Sequence, residues 1–256
     1  MLGIEKFINY FQGHENEYVI IGGTACELLM NAEELPFRAT KDIDMVLIVE
    51  SLTIEFGKLF WNFIYEAGYQ SINKSTGNSQ FYRFSHPKST EFPFMIELFS
   101  KKLEWIAFDN EKIRLAPIHI DDEISSLSAI LLNDAYYTFL KEGSQTVNGV
   151  SVLSAEYIIP FKAKAWLDLT QRKNNGEHVD SKNIKKHKND IFRLSILLIP
   201  TNQLILSDEI REDMKNFLEA MKHEEINLKQ LGYFNQDKQS ILELLSNFYA
   251  IKETVS

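Results

Sequence analysis

The sequence predicts an α/β (α+β) protein, with a mixed central sheet flanked by helices in residues 1–120 and a mainly helical region in residues 121–256 that carries a small hairpin near 145–153. Three observations carry that expectation. Short β-branched runs alternate with helical stretches in the first half, and apolar stripes at three- and four-residue spacing dominate the second half. Between two β-prone stretches, Asn148-Gly149 has the chemistry of a two-residue hairpin turn.

Taken in order, Ile4, Phe7, Ile8 and Phe11 recur at helical spacing, and Tyr18 to Ile21 is a short buried-type strand. Gly22-Gly23 follows it, and Ala25 to Met30 reads as the first turns of a helix. A second strand opens near Asp42 and runs through Val49. Ser51 is the expected cap of a helix carrying Phe56, Leu59, Phe60, Phe63, Ile64 and Ala67, which Gly68 closes. Residues 73–79 form a polar loop, and strands over 80–85 and 92–99 are joined by His86-Pro87-Lys88-Ser89. Ile113 to Ile120 end the first half. From Asp121 the spacing of Ile124, Leu127, Leu131, Ala135 and Phe139 predicts a helix reaching Gly143. Asp121, Asp122 and Glu123 suit its dipole better than they suit a second metal site. After Ser154 a further helix is expected, kinked or restarted by Pro160. Another spans about 183–198. The last third carries two apolar stripes, Ile210 to Met221 behind a Ser207 cap and Ile241 to Ile251.

Composition narrows the function. The 256 residues are 45% hydrophobic, enough for a real core, and a net charge of -9 excludes a uniformly basic nucleic-acid surface while leaving room for a local basic patch. The one concentration of cations is Arg172, Lys173, Lys182, Lys185, Lys186 and Lys188. Cys26 is the single cysteine, so no internal disulfide forms, which suits the cytoplasm; its place on the apolar side of a helix makes it a buried thiol rather than a nucleophile. The amphipathic start is a packing helix rather than a signal peptide, and the longest charge-free run, Leu194 to Ser207, is too polar to span a bilayer, so no membrane partner is expected. The six histidines form no ligand pair for zinc, and a Gly-x-Ser-x-Gly elbow is absent.

The chemistry concentrates between Tyr18 and Val49. Glycines on a strand-to-helix turn let the backbone approach a ligand, and the helix's first N–H groups favour a phosphate; Thr24 adds a hydroxyl there. Side chains alternate along a strand, so Asp42 and Asp44 leave the same face with Cα atoms roughly 6.5 Å apart. Two such carboxylates can hold Mg²⁺ against a polyphosphate. In Phe94-Met95-Ile96-Glu97-Leu98-Phe99 a lone carboxylate interrupts an apolar strand, and Glu97 therefore needs a partner. Either that partner is a metal ion, with Glu97 as a third carboxylate beside the Asp42 strand, or it is an Arg such as Arg83, or Glu97 sits on an edge strand and faces solvent.

The order strand, Gly22-Gly23, helix, then Arg38-x-Thr40-x-Asp42-x-Asp44 opening a strand strongly resembles the core motif of the nucleotidyltransferase superfamily, in particular the abortive-infection toxins of type IV toxin–antitoxin systems. The resemblance is specific from Tyr18 to Val49 and thinner elsewhere. It implies a nucleotidyltransferase fold and a metal site of Asp42, Asp44 and Glu97, taking one or two Mg²⁺ ions; the family often has Asp where Glu97 stands. It implies nucleotide contacts from Gly22, Gly23 and Thr24, with Arg38 and Thr40 on the same motif. It also implies a phosphate-contacting lysine at Lys162, in Phe161-Lys162-Ala163-Lys164-Ala165, and an orienting acid at Asp190, in Lys186-His187-Lys188-Asn189-Asp190. The activity implied is transfer of a nucleoside monophosphate from an NTP to a hydroxyl. The acceptor is either tRNA, with a cognate antitoxin as partner, or a small molecule such as a cationic antibiotic. A non-catalytic relative that binds a partner protein is the alternative of a different class.

Overall fold

The computed structural model describes residues 2–70, 83–101, 106–107, 114–115, 130, 133–233 and 235–251. The chain divides into two compact units, Met1–Ser154 and Ala155–Ser256.

The first unit is built on a mixed six-stranded sheet. Its strands are β1 (Tyr18–Ile21), β2 (Asp42–Leu47), β3 (Arg83–Ser85), β4 (Met95–Phe99), β7 (Ser144–Val147) and β8 (Val150–Leu153), in the order β3-β4-β2-β1-β8-β7. A separate ribbon pairs β5 (Ile106–Ala107) with β6 (Arg114–Leu115). β2 runs antiparallel to β1 and parallel to β4, while β3 is antiparallel to β4. Helices α1 (Ile4–Phe11) and α3 (Ile54–Ala67) bury Phe7, Phe11, Phe56, Phe60 and Phe63. These rings meet Tyr18 and Phe84, with centroids 5.7 Å apart for Phe7 and Tyr18 and 5.5 Å for Phe60 and Phe84. A fully buried Phe contributes roughly 1.5–3 kcal/mol, so this aromatic layer is a large share of the unit's core. Tyr18, Ile20, Ile43 and Met45 alternate with Asp42 and Asp44, so the carboxylates leave the opposite face from the aromatic layer.

The cap of α3 is Thr53 rather than Ser51: the Phe56 N–H donates to the Thr53 hydroxyl at 3.2 Å, and the buried Glu17 carboxylate accepts from the Thr53 N–H. Gly68 closes the helix as expected, in the left-handed conformation at φ 63°. The hairpin turn at Asn148-Gly149 also forms, both residues at positive φ, as a two-residue turn requires. Its place differs from expectation. β8 pairs parallel with β1, Ile20 opposite Val152, so the hairpin completes the sheet of the first unit and the boundary falls after Ser154 instead of near 120. Before it, α4 (Asp134–Glu142) is capped by Asn133, whose side chain accepts from the Ala135 N–H at 2.8 Å. The 73–79 loop, Asp121 to Glu123 and the start of the helix expected from Asp121 lie outside the described residues.

The second unit is helical: α5 (Ala155–Asn174), α6 (Ser181–Leu194), α7 (Asp208–His223) and α8 (Lys238–Phe248), with a 3-10 turn at Ser195–Leu197 ending the stretch expected to be one helix to Leu198. Pro160 neither restarts nor ends α5. Proline lacks the N–H that would donate to the Glu156 carbonyl four residues back. The fully buried Tyr249 hydroxyl donates to that carbonyl instead, at 2.7 Å. Ile210, Met214, Phe217 and Met221 on α7, and Ile241, Leu242, Leu245 and Phe248 on α8, are buried as one stripe each. Among the described residues no helix is long and apolar enough to cross a membrane.

Candidate active site

The glycine corner and the second strand meet directly. β1 ends in extended backbone at Ile21, Gly22 turns to φ 69°, and α2 (Gly22–Ala32) begins at once. The β1–β2 register sets Ile21 opposite Asp44. A Cβ on Gly22 would lie 2.0 Å from Asp44 Oδ2, so the carboxylate occupies the space that any side chain would need. A Cβ on Gly23 would lie 3.0 Å from both Arg38 Nη2 and Thr40 Cγ2. The motif residues Gly22, Gly23, Arg38, Thr40 and Asp44 thus share one corner. Cys26 is fully buried on α2 and its thiol donates to the Gly22 carbonyl at 2.9 Å, which leaves it a structural group.

Asp42 is fixed through its backbone. The Thr24 hydroxyl, fully buried, donates to the Asp42 carbonyl at 2.5 Å and lies 3.2 Å from the Thr40 hydroxyl. A hydroxyl has one proton. With that proton on Asp42, Thr24 fastens the helix start to the second strand, and the donors a phosphate would meet at a helix start are backbone N–H groups. Thr40 in turn gives both its donors to Glu27 on α2: the N–H at 2.8 Å to Oε2, and the hydroxyl to the same oxygen. Burial on its own would raise the Glu27 carboxyl, but the Thr40 hydrogen bonds together with the chain's N-terminal amino group outweigh it and hold the group below the usual carboxylate value.

Sequence reasoning missed Glu27. The signal was present: a lone carboxylate inside Ala25-Cys26-Glu27-Leu28-Leu29-Met30 is the same anomaly that singled out Glu97, and Glu27 is only 7% exposed.

Glu97 stands opposite Asp44 across β2 and β4, so the two carboxylates share a face. Arg83, opposite Glu97 across β3 and β4, donates from Nε to Glu97 Oε1 at 2.6 Å. Of the two partners expected for Glu97, the structure displays the arginine. Among the described residues no three His, Cys, Asp or Glu side chains are gathered closely enough to hold a metal ion by themselves. The donor set still fits Mg²⁺, which usually takes one or two carboxylates and completes its shell with water and substrate phosphate oxygens. Asp42 and Asp44, half-buried on one face beside a glycine corner that admits no side chain, are such a pair.

In the second unit, Lys162 Nζ donates to Asp190 Oδ2 at 2.9 Å, and Arg193 Nη1 lies 3.5 Å from Oδ1. Asp190 is fully buried and the Lys162 side chain is 5% exposed. The structure therefore pairs the two residues that the resemblance singled out here. Lys164 is occupied elsewhere, 3.1 Å from Asp213 and 3.6 Å from Asp168. The basic stretch is partly neutralised, since Arg172 pairs with Glu177 at 2.6 Å and Lys188 is buried against Glu224 at 2.5 Å, while Lys173 donates to the uncharged Ser181 hydroxyl at 2.8 Å.

No family model, curated protein or solved structure matches this chain.

Proposed function

We propose that the chain is a metal-dependent nucleotidyltransferase that moves a nucleoside monophosphate from an NTP to a hydroxyl acceptor. The observation that carries the reading is the abutment of Asp44 on Gly22: a strand carboxylate fills the one space that a glycine turn leaves open. In this reading the first N–H groups of α2 hold the β- and γ-phosphates. Arg38, its Nη2 beside Gly23, neutralises charge on the same triphosphate. Asp42 and Asp44, with Glu97 as the third carboxylate that the resemblance implies, would hold one or two Mg²⁺ ions, whose chemistry would be to activate the attacking oxygen and stabilise the departing pyrophosphate. The protein's own work is positioning for in-line attack at the α-phosphorus. Lys162 and Asp190 keep the roles that the resemblance gives them, a phosphate-binding cation and the carboxylate that orients it, and their 2.9 Å pairing supports the second role.

The acceptor is proposed to be tRNA, which makes the protein a cytoplasmic toxin with a cognate antitoxin. A second reading, a small cationic acceptor such as an antibiotic, gains from the pairing of Arg172 and Lys188 with carboxylates and from the net charge of -9. Incubation with each labelled NTP, magnesium and either total RNA or a panel of aminoglycosides tests both. The expected result is RNA labelling by the wild type, reduced to background in Asp42→Ala/Asp44→Ala. Labelling of antibiotic alone reverses the acceptor, and no transfer to either leaves the non-catalytic relative.

A further inference from the structure

We infer that Glu27 is a positioning residue of the nucleotide site, the post to which the segment from Arg38 to Asp42 is tied; this rests on the nucleotidyltransferase reading of that corner. The segment has to travel from the end of α2 back to the first turn of the same helix, where Arg38 and Thr40 lie against Gly23. Apart from the Phe94 N–H, which donates to the Lys41 carbonyl at 3.2 Å, no backbone pairing among the described residues holds it there, because β2 starts only at Asp42. Side-chain bonds do. Glu27, just over one turn along α2 from Gly23, accepts the Thr40 N–H at 2.8 Å and the Thr40 hydroxyl with the same oxygen. The Thr24 hydroxyl, near the start of α2, takes the Asp42 carbonyl at 2.5 Å.

A carboxylate suits this post better than a neutral acceptor. One of its oxygens can take two donors at once, and charge-assisted bonds are about twice as strong as neutral ones. The position also has a geometric reason. Residues three and four apart on a helix share a face, so Glu27 stands above Gly23 and Thr24. A strut from Glu27 to Thr40 therefore brings Arg38 to the glycine corner and sets the backbone from which Asp42 projects. Glu27 touches none of the reacting groups itself in this scheme. It acts through Thr40, as an outer carboxylate acts through the ligand that it orients, where loss typically costs ten- to a hundredfold in affinity.

The test uses the full chain and three readouts: calorimetric affinity for each magnesium–NTP, thermal midpoint, and amide hydrogen exchange at Thr40 in the free protein. Glu27→Ala is expected to speed exchange at Thr40 and to weaken nucleotide binding about tenfold. Glu27→Gln, whose carbonyl can still accept the Thr40 N–H, should restore most of that affinity. If the alanine variant does not fold, Thr40→Val, which removes only the hydroxyl half of the tie, is expected to weaken binding in the same direction. Variants that lose thermal stability but bind nucleotide as tightly as the wild type overturn the inference, as does unchanged exchange at Thr40. A wild type that binds no magnesium–NTP overturns the nucleotide reading and this inference with it, whereas wild-type binding with unaltered variants overturns this inference alone.

Discussion

In Met1–Ser154 the Glu27 carboxylate takes two hydrogen bonds from an uncharged residue, the N–H and hydroxyl of Thr40, with the chain's N-terminal amino group as a further stabilising charge, whereas in Ala155–Ser256 the Asp190 carboxylate meets side-chain cations, Lys162 at one oxygen and Arg193 near the other. Both carboxylates are at least nine-tenths buried. The difference teaches where each unit is vulnerable. Hydrogen bonds from neutral groups can be removed and leave a carboxylate that simply takes up a proton. An ion pair with both members out of water cannot lose one member without stranding the other's charge.

The largest expected effect therefore belongs to the second unit. Lys162→Met removes the closer cation from a fully buried carboxylate and is expected to cost about 3–5 kcal/mol, read by urea unfolding. Lys162→Met/Asp190→Leu removes both charges and should recover at least half of that loss, because an apolar pair of similar size replaces a costly one. A single variant that unfolds at the wild-type urea concentration would break the comparison, since it would place Asp190 among donors as forgiving as those of Glu27.

The same contrast shows why some of the molecule could be read from its sequence and some could not. Gly22, Gly68 and Asn148-Gly149 were readable because each answers a local demand, a positive φ at a turn or a helix end. The alternation that puts Asp42 and Asp44 on one face is likewise a property of a single strand. The pairing of β8 with β1 joins Val152 to Ile20 across most of the first unit, and no local period encodes it. Hence the hairpin was recognisable while the sheet it belongs to was not. Pro160 carries a strong helix-breaking signal, and the hydroxyl that answers it comes from Tyr249, far along the chain. Glu97 was suspected from its apolar surroundings and Arg83 was among the partners expected for it, yet the choice of Arg83 and the register opposite Asp44 appear only when three strands are assembled.

An intermediate effect lies at Pro160, where an uncharged group meets an uncharged donor. Tyr249→Phe keeps the ring and removes the hydroxyl that satisfies the Glu156 carbonyl. The expected loss is about 1–3 kcal/mol, the cost of leaving a buried acceptor unmet. Pro160→Ala in the Tyr249→Phe background restores a backbone N–H four residues beyond Glu156, and should return much of that loss. If Tyr249→Phe alone is neutral, the proline is tolerated for some reason other than this bond, and buried polar groups of the second unit are less demanding than Asp190 suggests.

The smallest effect is the pH dependence contributed by Glu27. Burial is the largest influence and would raise its carboxyl, and the Thr40 hydroxyl, the N-terminal amino group and the Thr40 N–H together bring it below the ordinary value of 4.5. A carboxyl whose folded pKa is depressed stabilises the fold when ionised. That contribution is fully present above the pH at which an unfolded Glu titrates, and it is lost as pH falls through the lower folded value. Glu27→Gln has no proton to take up, so the wild type should exceed it in thermal midpoint at about pH 6, and the gap should narrow as the pH is taken progressively below the range where an unfolded Glu titrates. A gap that holds constant through the acid range would mean that the Glu27 charge does not strengthen the tie to Thr40. The Thr40 donors would then serve shape alone, and the contrast with Asp190 would be one of geometry rather than charge.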